Sequence, residues 1–439
     1  MYIMKRNSVN LKTIVLIFVC LSIPSLLIIK FSTSKVNASN VNDFKSSKLE
    51  GNITFVSNRT DKSKELKQMI DNFERENPKV KVNLELIGDT EEILRRKASV
   101  GELADITVVP QVINVSDFDN YFLPIDDLGF NEDNMYNCNT NIGRQDKLYE
   151  LTTSLAWQGV IYNKQIFKKA GISSLPKNTN EFLAVCDKIK KLGITPMALC
   201  YKEQWGMGLW LDSIPYLIDK DLERKTIVQS MPILGEESSV YKSLEILRHI
   251  GDMGYCEDDL FDYDWQQCKN DLKDGKVAMF IWNSDFVSQL EDLGAPKDQF
   301  DMFPIPETKY ISIGGDSRYA VSKTTKYPEA AKAFLKFMFE DDRYAKAVNI
   351  RSSLKNNEEN KKLLADLKKF DMPIVMEGDV YKFQSKEDIK NHNRYYDLRK
   401  ITELEGRFAQ QYVISKDVGS LRKEINKKWD FYRDNTKEN

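Results

Sequence analysis

The alternation of apolar and polar positions begins at about Leu49 with "NITFVSNR", a short apolar run that ends in polar residues. In "KELKQMIDNFERENP" Leu66, Met69, Ile70 and Phe73 recur at i, i+3, i+4 and i+7, one stripe of a helix packed on a sheet, and Pro78 stops it. Val80, Val82, Leu84 and Leu86 alternate strictly, which predicts a second strand; a polar helix follows to about Glu102, and "ADITVVP" reads as a third, buried strand. A β-α-β-α-β order of this kind predicts a mostly parallel sheet covered by helices.

A second α/β unit follows a weakly patterned stretch from Asn131 to Arg144. In "SLAWQGVIYNKQIFKKAGI" an apolar strand turns into a helical pattern at Tyr162-Asn163-Lys164, which reads as a joint with Asn163 as the helix cap. Asn178 and Glu181 form a capping pair for a helix whose Phe182, Val185, Cys186 and Ile189 make one stripe, closed by Gly193. "DGKVAMFIW" is a strand, and "YISIGGDSRYAVSK" is another, broken at Gly314-Gly315. A helix from Pro328 carries Ala331, Phe334, Leu335 and Met338 on one face, and beyond Leu354 the chain is mostly charged helix. A chain of 439 residues exceeds one ordinary core, and no repeat or low-complexity linker divides it. Two lobes joined by more than one crossing of the chain are therefore expected.

Charge narrows the function. With 64 basic and 66 acidic residues the net charge is -2, so there is no basic footprint for nucleic acid. At the N-terminus, Lys5, Arg6 and Lys12 precede an uncharged run from Thr13 to Ile29 and then "KVNAS", the build of a secretory signal. Val36 and Ala38 point to cleavage after Ala38; the run also approaches the ~17–25 residues that span a bilayer, so residues 1–38 read as a signal peptide or an uncleaved anchor. Cys20 sits mid-run rather than after a small residue at its end, which argues against lipidation. The five remaining cysteines contain no Cys-x-x-Cys pair, which argues against a zinc knuckle; one bridge such as Cys256–Cys268 is open to an exported chain, with an odd thiol left over.

Catalytic motifs are scarce. The only histidines, His249 and His392, lie beside no nucleophile elbow, and Walker-type, Gly-x-Gly-x-x-Gly and His-Glu-x-x-His patterns are absent. Asp126-Asp127, Asp258-Asp259 and Asp262 with Asp264 read as solvated loop and capping acids, although a glycosidase would need two carboxylates about 5 to 10 Å apart. The calcium-like alternation in "EDDLFDYDW" lacks the glycine and distal glutamate of a calcium loop. Neither a cofactor nor a metal is expected. Aromatic residues at strand ends stand out instead: Trp205 and Trp210 in "EQWGMGLW", and Trp282 in "FIWNSDF". Sugars present apolar C–H faces and hydroxyl edges, so an aromatic plate beside Asp, Glu, Asn or Arg suits them. Core packing is the competing reading, and the stronger one for Trp210.

In order along the chain, "NITFVSNRTDKSKELKQMIDNFERENPKVKV", "ADITVV" with "FLPIDDL", "LYELTTSLAWQGVIYNKQIFKKAGISSLPKNTNEFLAVCDKIKKLGITPMAL", "DGKVAMFIWNSDF" and "GGDSRYAVSKTTKYPEAAKAFLKFMF" resemble the extracellular solute-binding proteins of ABC transporters, in the maltose-binding-protein-like group that binds mono- and oligosaccharides. The resemblance covers about Leu49 to Leu354. It implies an α/β, two-lobed periplasmic-binding-protein-like fold, with 49–141 and 315–355 in the first lobe, 147–310 and 356–439 in the second, and a multi-crossing hinge. It further implies a non-enzymatic, monomeric, extracellular protein that captures carbohydrate and passes it to an ABC permease. A sugar-sensing accessory protein for a membrane kinase is the alternative on the same fold, and an extracellular glycosidase the weaker one. Carried over residue by residue, the contacts implied are Asn58, Arg59 and Asp61 after the first strand, Gln111 in the turn after "DITVV", Glu203 and Trp205, and Trp282 or Asp285. Asp316 and Arg351 are added at the hinge, and Thr153, Ser154 and Trp157 where the chain has just crossed it.

Overall fold

The computed structural model describes residues 49–88, 90–110, 112–138, 147–377 and 386–435. The expected leader (1–38), the expected contact Gln111, and part of the weakly patterned stretch lie outside the described residues. No described helix is long and apolar enough to cross a membrane.

Two sheets form. The first contains β1 (Gly51–Ser57), β2 (Val80–Leu86), β3 (Ile106–Val108), β4 (Glu150–Thr152) and β10 (Arg318–Val321), in the order β2-β1-β3-β10-β4. The second contains β5 (Ala156–Asn163), β6 (Thr195–Ala198), β7 (Val277–Asn283), β9 (Ile311–Gly314) and β11 (Ile374–Met376), in the order β11-β9-β5-β7-β6, with β8 (Phe300–Phe303) also paired to β5. The opening β-α-β-α-β unit is parallel as expected: β1 pairs with β2 from Gly51↔Val80 to Ser57↔Leu86, and with β3 at Phe55↔Ile106. Elsewhere the sheets are mixed, because strands running toward the hinge must oppose strands arriving from it. Thus β10, entering at Arg318, is antiparallel to β3 and β4, and β5, entering at Ala156, is antiparallel to β9. "YISIGGDSRYAVSK" is accordingly two strands in two different sheets.

Each sheet is sealed by the stripes read from the sequence. Leu66, Met69, Ile70 and Phe73 of the helix Ser63–Glu76 are buried on the first sheet together with Ala331, Phe334, Leu335 and Met338 of the helix Pro328–Phe339. Phe334 packs edge-on against both Phe55 and Phe73, at 5.5 and 5.0 Å between ring centres. A fully buried side chain of this size contributes about 1.5–3 kcal/mol. In the second sheet, period-two alternation sends Val160 and Tyr162 into one core and Trp157 and Ile161 into another. The C-terminal helices Lys386–Ile401, Gly406–Ile414 and Val418–Asn435 close the first of these two cores through Tyr395, Leu398, Phe408, Tyr412 and Trp429. The capping expectations also hold: Asn163 Oδ1 accepts from the backbone N–H of Gln165 and Ile166, and Asn178 Oδ1 from that of Glu181.

The chain crosses between the sheets three times, at Thr152–Ala156, Gly314–Arg318 and Ile350–Leu354, and the crossings are laced together. Thr153 N donates to Ser317 O at 2.9 Å, Leu155 N to Arg351 O at 3.0 Å, and Ser154 bridges Ser352. Gly315 is required here by close approach, since a Cβ at this position would lie 2.0 Å from Thr152 Cγ2. The bridge that the sequence leaves open, Cys256–Cys268, is not made. All five described cysteines are free and buried; Cys256 belongs to the core under the C-terminal helices and Cys268 to the core on the opposite face of the sheet, so a Cys256–Cys268 bridge does not form.

Candidate functional site

The loop leaving β1 supplies one wall. Arg59 is buried and forks onto Asp61, with Nε and Nη2 donating to the two carboxylate oxygens at 2.9 and 2.8 Å. Burial opposes the Arg59 charge, but the bond to and charge of Asp61, with Tyr344 and Asp316 nearby, outweigh it and hold its pKa up. Burial likewise opposes the Asp61 carboxylate, yet Arg59 and then Lys269 hold its pKa below the ordinary range. Asn58 Nδ2 donates to Ser317 Oγ at 3.0 Å, which ties this loop to the second crossing. Asn58 Oδ1 and Arg59 Nη1 are buried without a partner among the described residues.

The crossings and the second lobe supply the floor. Ser154 is fully buried; its Oγ accepts from Asp316 N at 3.0 Å while its hydroxyl bonds the Asp285 carboxyl. Asp285 opens the helix Asp285–Asp292 and is only 4% exposed. Burial, then the charge of Asp316, pushes its carboxyl up to about 6 against the pull of Ser154, Arg351 and Arg59. Asp285 Oδ2 and Arg351 Nε are also buried without a partner among the described residues. Asp316 itself is exposed, while Thr153 is buried and accepts from Ser317 N at 3.2 Å.

An aromatic wall stands next to the floor. Trp205, Trp265 and Trp282 meet edge to face in a triangle, with ring centres 5.1 to 5.3 Å apart, and Trp282 stacks on Phe280 at 5.9 Å. Glu203 fixes two of the three: it accepts from Trp205 Nε1 at 3.0 Å and from Trp265 N at 3.3 Å. Trp205 remains 44% exposed, an amphipathic plate held at the surface. Lys269, one turn beyond Trp265, places its ammonium 5.9 Å from the Trp265 ring centre and close to Asp61 of the other lobe. Burial lowers its pKa, and Asp61 partly restores it. A direct interlobe ion pair, Lys62 to Asp292 at 2.6 Å, lies at the other end of the helix that Asp285 begins.

Of the residues singled out in the sequence, Asn58, Arg59, Asp61, Ser154, Asp285, Asp316 and Arg351 converge as one charged and polar cluster, and Glu203, Trp205 and Trp282 converge as the aromatic wall. Thr153 orders the crossing by holding Ser317. Trp157 does not join them: it is buried against Phe370, ring centres 5.7 Å apart, because odd positions of β5 face that core. Trp210 is core, as its apolar neighbours implied. Trp265 and Lys269 were missed, since "CEDDLFDYDW" reads as an acidic loop. The usable signal was Asp264, whose side chain accepts from Gln267 N and so makes Trp265 the first residue of a helix. The acids that suggested calcium serve as caps and loop residues, and among the described residues no group of three or more His, Cys, Asp or Glu is placed to hold a metal. His249 bonds the Glu245 carbonyl within its own helix, and His392 pairs with Glu223.

Two α/β lobes joined by three crossings of the chain, with residues of both meeting at the crossings, are the features to compare. Residues 57–344 match the family model described as bacterial extracellular solute-binding protein. The chain belongs to that family. Like other solute-binding proteins it has curated relatives: it is 23% identical over 300 residues to the multiple sugar-binding protein of Streptococcus mutans, an alignment covering 65% of this chain and 70% of that one. Two solved solute-binding proteins of Bifidobacterium animalis subsp. lactis share its fold. One is a manno-oligosaccharide-specific protein in complex with mannotriose (TM-score 0.75, 22% identity, 88% of this chain and 96% of that one). The other is an ABC-transporter binding protein in complex with mannobiose (TM-score 0.76, 22% identity, 88% and 95%). This solute-binding protein therefore has the family's two-domain architecture.

Proposed function

We propose that this protein is the non-enzymatic, extracellular receptor of an ABC importer and captures a neutral oligosaccharide between its lobes for delivery to a permease. The observation that carries the reading is the juxtaposition of the Trp205–Trp265–Trp282 triangle with buried polar atoms that lack a protein partner. Those atoms comprise two donors, Arg59 Nη1 and Arg351 Nε, and two acceptors, Asn58 Oδ1 and Asp285 Oδ2. A hydroxyl both donates and accepts, so vicinal hydroxyls of a pyranose suit such a mixed set, while its C–H face suits an indole edge or plane. The charged side chains facing the cleft are of both signs, Arg59, Lys269 and Arg351 against Asp61, Asp285 and Asp316, which favours a neutral ligand. The sugar complexes among its structural neighbours support the same class.

The lobes are assigned as 49–141 with 315–355 and 147–310 with 356–439, except that β4 pairs with β10 and so moves with the first. Closure would then bring Lys62 to Asp292 and Lys269 to Asp61. The test is a thermal-shift and calorimetric screen against mannose-, galactose-, glucose- and N-acetylglucosamine-containing oligosaccharides, with peptides as the contrast. A ligand at 100 times its dissociation constant stabilises by about 2.7 kcal/mol, an easily read shift. No response to any sugar, a response to peptides alone, or release of reducing ends from the sugars would overturn the proposal.

A further inference from the structure

Two buried thiols lie together behind the aromatic wall, and the ligand-binding reading makes no use of them. Cys200 follows β6 in a left-handed backbone conformation, φ 51°, unusual for a residue with a Cβ. Cys268 lies in the first turn of the helix Trp265–Lys273. Both address one carbonyl: the backbone N–H of Cys268 donates to Asp264 O at 2.9 Å, and Cys200 Sγ approaches the same oxygen at 3.9 Å. Their side chains are in hydrogen-bond contact with each other, they are 1% and 0% exposed, and they share one core with Phe280 and Phe286. Cys138 lies in the first-lobe core, and Cys186 and Cys256 lie on the opposite face of the second sheet.

We propose that Cys200 and Cys268 form a structural disulfide in the exported protein, tying the exit of β6 to the helix that begins with Trp265. Two side chains in hydrogen-bond contact and directed at one carbonyl are the neighbours a bond of about 2.05 Å would join. Family membership places the chain outside the cell, where such bonds persist. The cross-link would close a loop containing Glu203, Trp205 and the Trp265 N–H that Glu203 holds. Burial pushes the Cys200 thiol far up, so its thiolate forms while the core is open, during folding or a rare opening, and the finished bond would be as protected as the thiols are. With glutathione disulfide as oxidant, one cysteine thiolate attacks a glutathione sulfur and expels glutathione thiolate. The second cysteine thiolate then attacks the mixed disulfide at the protein sulfur and expels another. The protein gives up two protons and two electrons, and one glutathione disulfide becomes two glutathiones.

The test uses the full-length chain in two arms, one incubated natively with glutathione disulfide and one refolded from the reduced, unfolded state in a glutathione redox buffer. Both are quenched with acid, alkylated, digested without reductant and mapped by mass. The expected result in at least one arm is a single cross-linked peptide pair containing Cys200 and Cys268, with Cys20, Cys138, Cys186 and Cys256 alkylated. The linked protein should melt at a higher temperature than its reduced form, a gap that C256S keeps and C268S loses. Alkylation of both Cys200 and Cys268 in both arms, or a cross-link joining any other pair, overturns the proposal.

Discussion

Replacing Asp285 by Asn separates the demands of folding from those of ligand binding. The carboxyl is 4% exposed, and its pKa rises from 3.8 to about 6. That displacement corresponds to about 3 kcal/mol, an upper figure because Arg59 and Arg351 relax toward the charge. The sign follows from proton binding. Below about pH 4 the group is protonated in both folded and unfolded chains and has no effect. Between about pH 4 and 6 the unfolded chain releases its proton first, so stability falls, and above about pH 6 the full penalty is present. Asp285→Asn keeps the acceptor for Ser154 and removes the charge, so near neutral pH the ligand-free variant should be more stable than the wild type by roughly 2–3 kcal/mol. Near pH 4 the two should be nearly equal. Urea unfolding at the two pH values measures the double difference, in which titrating groups not coupled to Asp285 cancel and the coupling to Asp316 is counted with it. The same substitution should weaken oligosaccharide binding about 10- to 100-fold, because a hydrogen bond to a charged acceptor is worth about 1.5–3 kcal/mol. A variant–wild-type difference that does not change with pH would refute the assignment of the buried charge.

Trp282→Ala removes the ring that stacks on Phe280 and props the other two indoles, and titration calorimetry should show affinity for the sugar falling at least 30-fold, about 2 kcal/mol. Gly406→Ala would set a Cβ 1.8 Å from the Gln204 carbonyl oxygen, a clash with backbone that no side-chain rotation relieves, so the helix Gly406–Ile414 must shift. Thermal unfolding should record a loss of about 1–3 kcal/mol, and sugar affinity should fall with it, because Gln204 adjoins Trp205. Asp292→Asn breaks the interlobe pair with Lys62 and should leave chemical unfolding nearly unchanged. It should weaken ligand binding by less than about tenfold, an effect that shrinks as salt is raised from low to molar concentration in a binding titration.

The lobes were legible because their signals are local. Helix stripes such as Leu66–Phe73, the alternation in β2, and the caps at Asn163 and Asn178 each depend on a few neighbouring residues. What could not be read was which strands share a sheet. The break at Gly314-Gly315 and the resemblance put the lobe boundary in "ISIGGDSRYAV", but local pattern does not give the cause, a Thr152 methyl from a segment more than 150 residues earlier that leaves no room for a Cβ at Gly315. The same limit explains the site. Arg59 and Asp61 are two positions apart and could be paired on sight, whereas Lys269 meets Asp61 only after both lobes have folded. Trp157 was misread for a third reason: its face of β5 is fixed by register, and one step of the period-two pattern separates a core ring from a cleft ring. The Cys256–Cys268 bridge that the sequence leaves open is decided by the same kind of placement, since the sheet puts the two on opposite faces.

The distribution of unpartnered atoms bears on why the lobes would close around a ligand and not without one. Asn58 and Arg59 belong to the lobe of β1, Asp285 to the lobe of β7, and Arg351 to the third crossing. Leaving a buried donor or acceptor unmet costs about 1–3 kcal/mol each, so four such atoms together oppose closure by more than one partly buried ion pair such as Lys62–Asp292 returns. In the open form water reaches these groups, and the penalty is absent. A ligand whose hydroxyls satisfy donors and acceptors from both lobes at once removes the penalty only when the lobes are together, and this is the differential affinity a population shift requires. The tryptophans cannot supply it alone, because Trp205, Trp265 and Trp282 all belong to the second lobe and would hold a sugar equally well in either form. Stacking should therefore set how tightly sugar first binds the open protein, and the hinge cluster around Asp285 should set how far closure follows.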